Sequence, residues 1–131
     1  MKKIINLGVL GIDHGHIFDM LDEMLKEGCT CDYFWTEGDP LTLKEFNSKY
    51  PNIKRKEKKE EILNDTSIDM ILISSVPKDR ARNSMEALKN GKDVMIDKPG
   101  CTTLDQLNEI KQTVKETGKI WSVNFSERFH V

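Results

Sequence analysis

No stretch of this chain is apolar for long enough to cross a membrane: runs such as Met70 to Ile73 end far short of the ~20 residues a spanning helix needs. An excess of positive charge is also missing. Lys and Arg total 20 against 22 Asp and Glu, a formal net charge of -2, which excludes a basic nucleic-acid binder. Cysteine is scarce and irregular. Cys29 and Cys31 lie one residue apart and Cys101 is remote, so the paired CxxC of a structural zinc site is absent and there are too few thiols for a disulfide framework. Reduced thiols and a cytoplasmic location are the expectation. No fixed-period repeat or low-complexity segment occurs. The lysine run from 54 to 59 contains Glu57 and is followed by Glu60 and Glu61, the pattern of a solvated turn and helix start.

What is present is 131 residues, 37% hydrophobic and 32% charged, a length and composition that predict one domain over residues 1–131. The opening Met-Lys-Lys leads into a short apolar run that Asn6 interrupts, and Asp13 and two histidines follow it. That is a buried strand rather than a signal peptide. Ile4 to Leu10 forms this first strand, and Ile17, Met20, Leu21, Met24 and Leu25 recur at helical spacing until Gly28. A second strand runs from Cys31 to Thr36, followed by a short helix from Leu41 to near Pro51, a brief strand near Ile53 and a small helix around Glu60 to Leu63. Ile68 to Ser74 is apolar without alternation, as a parallel strand covered on both faces should be. Pro77 suits the first turn of the next helix, which carries Ala81, Met85, Ala87 and Leu88 and closes at Asn90-Gly91. Asp93 to Ile96 is a strand, Thr102 or Thr103 caps a helix with Leu104, Leu107, Ile110 and Val114 on one face, and Ile120 to Phe125 is the last strand.

Strands alternating with helices predict a doubly wound α/β fold, a Rossmann-like parallel sheet of about six strands in the order 3-2-1-4-5-6. Ligands of such sheets bind beyond the carboxyl ends of the strands, where the winding reverses. This directs attention to four segments: Gly11, Ile12, Asp13, His14, Gly15 and His16; Glu37; Ser74 to Lys78, with Ser74, Val76 and Pro77 as candidates; and Asp97 to Gly100, with Asp97, Lys98 and Pro99 as candidates. A dinucleotide fingerprint would place glycines at 11, 13 and 16, and only Gly11 meets it. Asp13 stands where the backbone should approach a pyrophosphate, with a charge that would repel it, and His16 replaces the third glycine, leaving Gly15 to supply some of the closeness. The helix start still favours an anion. Glu37, at the end of the second strand, suits hydrogen bonds to an adenosine ribose and favours NAD over NADP unless Lys44 compensates a 2′-phosphate. His14 and His16 are i, i+2 at a helix start, where side chains diverge, so no metal is expected.

Ser74-Ser75-Val76-Pro77, the helix end Ala87-Leu88-Lys89-Asn90-Gly91-Lys92-Asp93-Val94, and Asp97-Lys98-Pro99 followed by Thr102-Thr103 together resemble the N-terminal domain of the Gfo/Idh/MocA family. The family's "TPN" loop, "ALxxGKHV" helix end and "EKP" tripeptide correspond to these segments, and the likeness extends from Ile4 to about Phe129. The resemblance implies an NAD(P)-dependent dehydrogenase in which Lys98 is the active-site lysine beside the nicotinamide and the substrate hydroxyl. Pro99, often cis in the family, aims it. Asp97 replaces the usual glutamate. Asn124 and Arg128 match the family's last strand and the arginine at the crossover into a second, mostly antiparallel domain. That domain would carry the substrate pocket, the usual catalytic histidine and much of a dimer interface, so this chain alone is expected to be inactive. The implied partners are NAD or NADP, a sugar-like or cyclic polyol substrate and a further copy in a homo-oligomer, with neither nucleic acid nor membrane. The altered glycine turn leaves a second possibility open, a nonenzymatic module for ligand sensing or assembly that has lost the cofactor.

Overall fold

The computed structural model describes residues 3–124. Phe125 and the Glu127-Arg128 pair, with the crossover arginine expected there, lie outside the described residues. Strand β1 (Asn6–Leu10) leads through a glycine turn into α1 (His16–Lys26), followed by β2 (Thr30–Trp35), α2 (Leu43–Lys49) and β3 (Lys54–Arg55). The chain continues through α3 (Glu60–Leu63), β4 (Met70–Ile73), α4 (Pro77–Lys89), β5 (Asp93–Asp97), α5 (Leu104–Thr117) and β6 (Trp121–Asn124). The six strands are all parallel and run in the order β3-β2-β1-β4-β5-β6. This is the expected Rossmann-like topology, and its winding reverses between β1 and β4.

Alternation along the central strands divides the core into two layers. Leu7, Val9 and Leu72 face α1 and α2, where they meet Ile17, Leu21, Phe34 and Phe46. Leu10, Ile71 and Ile73 face the other way, onto Ile62, Ala87, Leu88, Val94 and Ile96. Both faces of β1 and β4 are therefore buried, which is why their sequences are apolar without interruption. The helix ends follow local chemistry. Pro77 sits in the first turn of α4, Thr103 caps α5 by accepting the Gln106 amide at 3.0 Å, and Gly118 ends α5 in the left-handed region at φ 70°.

Two expected contacts differ. Ile4 and Ile5 are exposed and precede β1, because strand pairing begins at Asn6 opposite Thr30. Leu104 shares the apolar stripe of α5 but is 77% exposed. As the first helical residue its side chain leans toward the helix N-terminus and past the layer it would otherwise pack on. Ile110 and Thr113 form the buried part of that helix.

The amino ends of β1 and β4 are joined by a charged clasp. Asp69 accepts the Asn6 amide at 2.9 Å and pairs with the Lys3 ammonium at 3.0 Å. The Asn6 amide, more than the lysine, holds the Asp69 carboxyl below the usual carboxylate range. A depressed folded-state pKa contributes stability above the unfolded value and loses it as pH falls through the folded value. Asp69→Asn should therefore cost about 1 kcal/mol at pH 7, and the gap from the parent chain should close as pH falls through the lowered folded-state value, as read by urea unfolding at each pH.

Candidate functional site

The tips of β1, β2, β4 and β5 carry the predicted segments and bring most of them together. Gly11 turns the chain out of β1 at φ 86°, its amide donating to the Trp35 carbonyl at 2.7 Å and its carbonyl accepting the Ser74 amide at 3.1 Å. A Cβ there would lie 2.4 Å from the Ser75 Cβ. Both the torsion and the approach of the next loop therefore require glycine. Thr36 is buried and its hydroxyl accepts the Ile12 amide at 3.2 Å, while the Thr42 hydroxyl donates to the Ile12 carbonyl. Ile12 itself is wholly buried in the core, so it anchors the turn and does not face the cleft. Gly15 differs from expectation too. A Cβ on it would meet nothing within 4 Å, so it is not the residue that brings helix and strand close.

Two adjoining clefts open above the strand tips. One, of about 290 Å³, is lined by Gly11, Asp13, Trp35, Glu37, Ser75, Val76, Lys78, Asp79, Arg82 and Asn83. The other, of about 350 Å³, is lined by Asp13, His14, Ser75, Val76, Pro77, Arg80, Lys98 and Pro99. Asp13, Ser75 and Val76 form the wall common to both. Glu37 stands exposed in a loop that Arg55 fastens, with its guanidinium donating to the Thr36 and Gly38 carbonyls at 3.1 and 2.6 Å. Burial pushes the Asp13 carboxyl above its ordinary pKa, and the neighbouring Asp79 and Glu37 charges push the same way. Backbone N–H groups of Asp13 and Val76 oppose the rise by donating to that carboxylate. Asp13 thus occupies amides at the turn where an external anion would be received.

On the other side, Lys98 and Pro99 follow β5 through a cis peptide bond. Lys98 lines the larger of these clefts and also an apolar hollow of about 500 Å³ with Gly100, Cys101, Leu107, Trp121 and Val123. Asp97 is completely buried. His16 Nδ1 lies 2.9 Å from its Oδ1 and His14 Nδ1 lies 3.5 Å from its Oδ2. The expectation that the histidines diverge is corrected: α1 begins at His16, with Gly15 as its cap. His14 belongs to the preceding turn, so helical i, i+2 geometry does not apply, and the imidazole centroids are 4.2 Å apart. Ser74 is buried, and its hydroxyl donates to the His14 carbonyl at 3.1 Å and to Asp97 Oδ2 at 3.4 Å. It supports the turn from below.

Arg80 was not singled out from the sequence, yet it organises both loops. It is 1% exposed. Its Nε donates to the Ser75 carbonyl at 2.7 Å, Nη1 to the Asp97 and Pro99 carbonyls at 3.3 and 3.2 Å, and Nη2 to Asp97 Oδ2 at 3.4 Å. Burial pulls its pKa down, while the Asp97 and Asp13 carboxylates pull it up. A usable signal exists in the sequence. Arg80, Asn83 and Ser84 fall at i, i+3 and i+4 on the stripe that continues to Ala87, a polar patch on the inward face of α4.

A turn that requires glycine and an acidic residue past β2 line one cleft, and a Lys-cis-Pro pair past β5 lines the cleft adjoining it. The family model "Oxidoreductase family, NAD-binding Rossmann fold" of Gfo/Idh/MocA matches residues 38–125. The chain belongs to the Gfo/Idh/MocA oxidoreductase family. Over 69 residues, 53% of this chain and 20% of the relative, it is 33% identical to a scyllo-inositol 2-dehydrogenase (NAD(+)) of Bacillus subtilis. Over 131 residues, 95% of this chain and 34% of the relative, it is 24% identical to a scyllo-inositol 2-dehydrogenase (NADP(+)) of the same organism. A crystal structure of a candidate oxidoreductase from Erwinia carotovora atroseptica superposes with a TM-score of 0.90 at 32% identity, covering 94% of this chain and 37% of that one. This Gfo/Idh/MocA chain therefore spans a fifth to about a third of the length of these two curated relatives.

Removing one partner of a buried ion pair strands the other charge. Arg80→Met should destabilise the chain by roughly 3–5 kcal/mol in urea unfolding. A loss below about 1 kcal/mol would show that Asp97 needs no guanidinium.

Proposed function

We propose that this chain binds a nicotinamide dinucleotide across the two clefts, as the cofactor-binding part of a dehydrogenase acting on a sugar-like or cyclic polyol. The observation that carries the reading is the shared wall of Asp13, Ser75 and Val76 between a cleft holding Glu37 and one holding Lys98. A dinucleotide needs this shape: an adenosine end, a nicotinamide end and a pyrophosphate between them. Glu37 would accept hydrogen bonds from the ribose hydroxyls, favouring NAD over NADP. Trp35, half-buried in the same cleft, offers an apolar side to the adenine. The Gly11 turn, which admits no side chain, lets the backbone pass close beneath the phosphates.

Bound nicotinamide would supply the hydride acceptor. Lys98 would hold its positive charge near the substrate oxygen, stabilising an alkoxide as the hydroxyl proton leaves. Arg80 would keep the Asp97–Pro99 turn in register with that cleft through its bonds to two carbonyls. Hydride transfer to a polyol carbon is proposed for the full-length context; the isolated chain is expected to bind without turning over. Assembly as a homo-oligomer belongs to the same reading, as do one domain over residues 1–131 and a cytoplasmic location, the last supported by cysteines that are all unpaired. Among the described residues no helix is long and apolar enough to cross a membrane.

One observation favours a second reading. The Asp13 carboxylate takes the backbone donors of Asp13 and Val76, which suits a nonenzymatic sensing or assembly module that has lost the nucleotide. Melting in the presence of NAD or NADP separates the two. Nucleotide at 100 times its dissociation constant adds about 2.7 kcal/mol of stability and raises the midpoint by several degrees. A flat response to both at millimolar concentration favours the second reading. Asp13→Gly should tighten NAD binding by roughly tenfold, followed by quenching of Trp35 fluorescence. An unchanged dissociation constant would place the phosphates away from this turn.

A further inference from the structure

We propose that His14, His16 and Asp97 form a three-ligand site for a divalent transition-metal ion of the zinc class, with a coordination position open toward the Lys98 cleft. One ligand atom from each residue lies within 4.8 Å of the others. A tetrahedral ion with bonds of roughly 2.0–2.2 Å holds its ligand atoms about 3.3–3.5 Å apart. His16 Nδ1 lies 2.9 Å from Asp97 Oδ1 and His14 Nδ1 lies 3.5 Å from Oδ2, so the three ligand atoms must draw together from within 4.8 Å of one another to hold one ion. Two imidazoles and one carboxylate are a borderline donor set, suited to zinc, cobalt or nickel rather than to magnesium or calcium.

The turn itself holds the first ligand in place: His14 Nδ1 lies 3.2 Å from the His16 backbone nitrogen and 3.5 Å from Asp97 Oδ2.

The ligands are also supported from behind. Asp97 is fully buried, with Ser74 Oγ and Arg80 Nη2 each 3.4 Å from Oδ2. The His14 main chain is fixed at both ends, its amide donating to the Ser74 carbonyl at 3.0 Å and its carbonyl accepting the Ser74 hydroxyl at 3.1 Å. Such supporting contacts orient ligands in metal sites generally. Arg80 opposes a second positive charge, which favours coordination through Oδ1 and sets a moderate affinity. His14 lines the Lys98 cleft, so the open position would take an oxygen of a small hydroxylated or carboxylated ligand. The site needs no nucleotide, and its test is independent of the dinucleotide reading.

The probe is Co²⁺, followed by its visible d–d absorption and displaced by Zn²⁺. One equivalent should bind with a dissociation constant tighter than roughly 10 µM. His14→Ala and His16→Ala should each weaken it by at least tenfold. Both side chains are partly exposed, at 53% and 35%, so the variants should fold, which circular dichroism would check. A Cys29→Ser/Cys31→Ser variant and a His130→Ala variant should bind as the parent does. Binding that survives both cleft histidine substitutions, that vanishes with the cysteines or His130, or that is weaker than roughly 10 µM overturns the site.

Discussion

A guanidinium almost sealed from water sets the geometry of the strand tips. Arg80 rises from α4 between the loops that follow β4 and β5 and satisfies three carbonyl oxygens and one carboxylate oxygen across them. In a low-dielectric interior neither Arg80 nor Asp97 would be tolerated alone, and together they permit each other. The dependence continues outward. Asp97, neutralised by Arg80, receives His16 from the start of α1 and His14 from the turn before it. One ion pair therefore couples the Lys98 turn, the Ser74–Val76 loop and the first turn of the fold.

The charge pattern above this frame is mixed rather than positive. Asp13, Glu37 and Asp79 line the same cleft as Lys78 and Arg82. Arg82 is committed in part to Asp79 at 3.1 Å. An anionic ligand would draw on oriented backbone amides and the start of α1 rather than on a field from excess basic residues. Asp13 competes for those amides, and its raised pKa reflects a carboxylate held beside two others with incomplete access to water. The turn thus keeps the family's shape through Gly11 while changing its charge.

Much of the fold was legible. Uninterrupted apolar runs at β1 and β4 marked central strands and Pro77 and Thr103 marked helix starts, while crossover handedness narrowed the strand orders without fixing the one observed. Glu37 was picked out by its position at a strand end and the Lys98–Pro99 pair by its resemblance to the family's tripeptide, and the two line adjoining clefts. Misjudged residues share a cause, which is that spacing along the chain was used where neighbours across the fold decide. A Cβ on Gly15 would meet nothing within 4 Å, whereas one on Gly100 would lie 2.7 Å from the Trp121 ring. Leu104 sits on the right stripe at the wrong end of its helix. Ile12, in the middle of the turn, is core.

Periodicity and local capping are properties of a few consecutive residues, so the sequence by itself determined the alternating elements, the parallel sheet and where the carboxyl ends of the strands fall. Only the tertiary structure decided which side chains meet there. Arg80 reaches Asp97 across 17 residues and His16 reaches it across 81, and no local pattern reports such pairs. They form because a buried carboxylate must find its donors wherever the folded chain brings them.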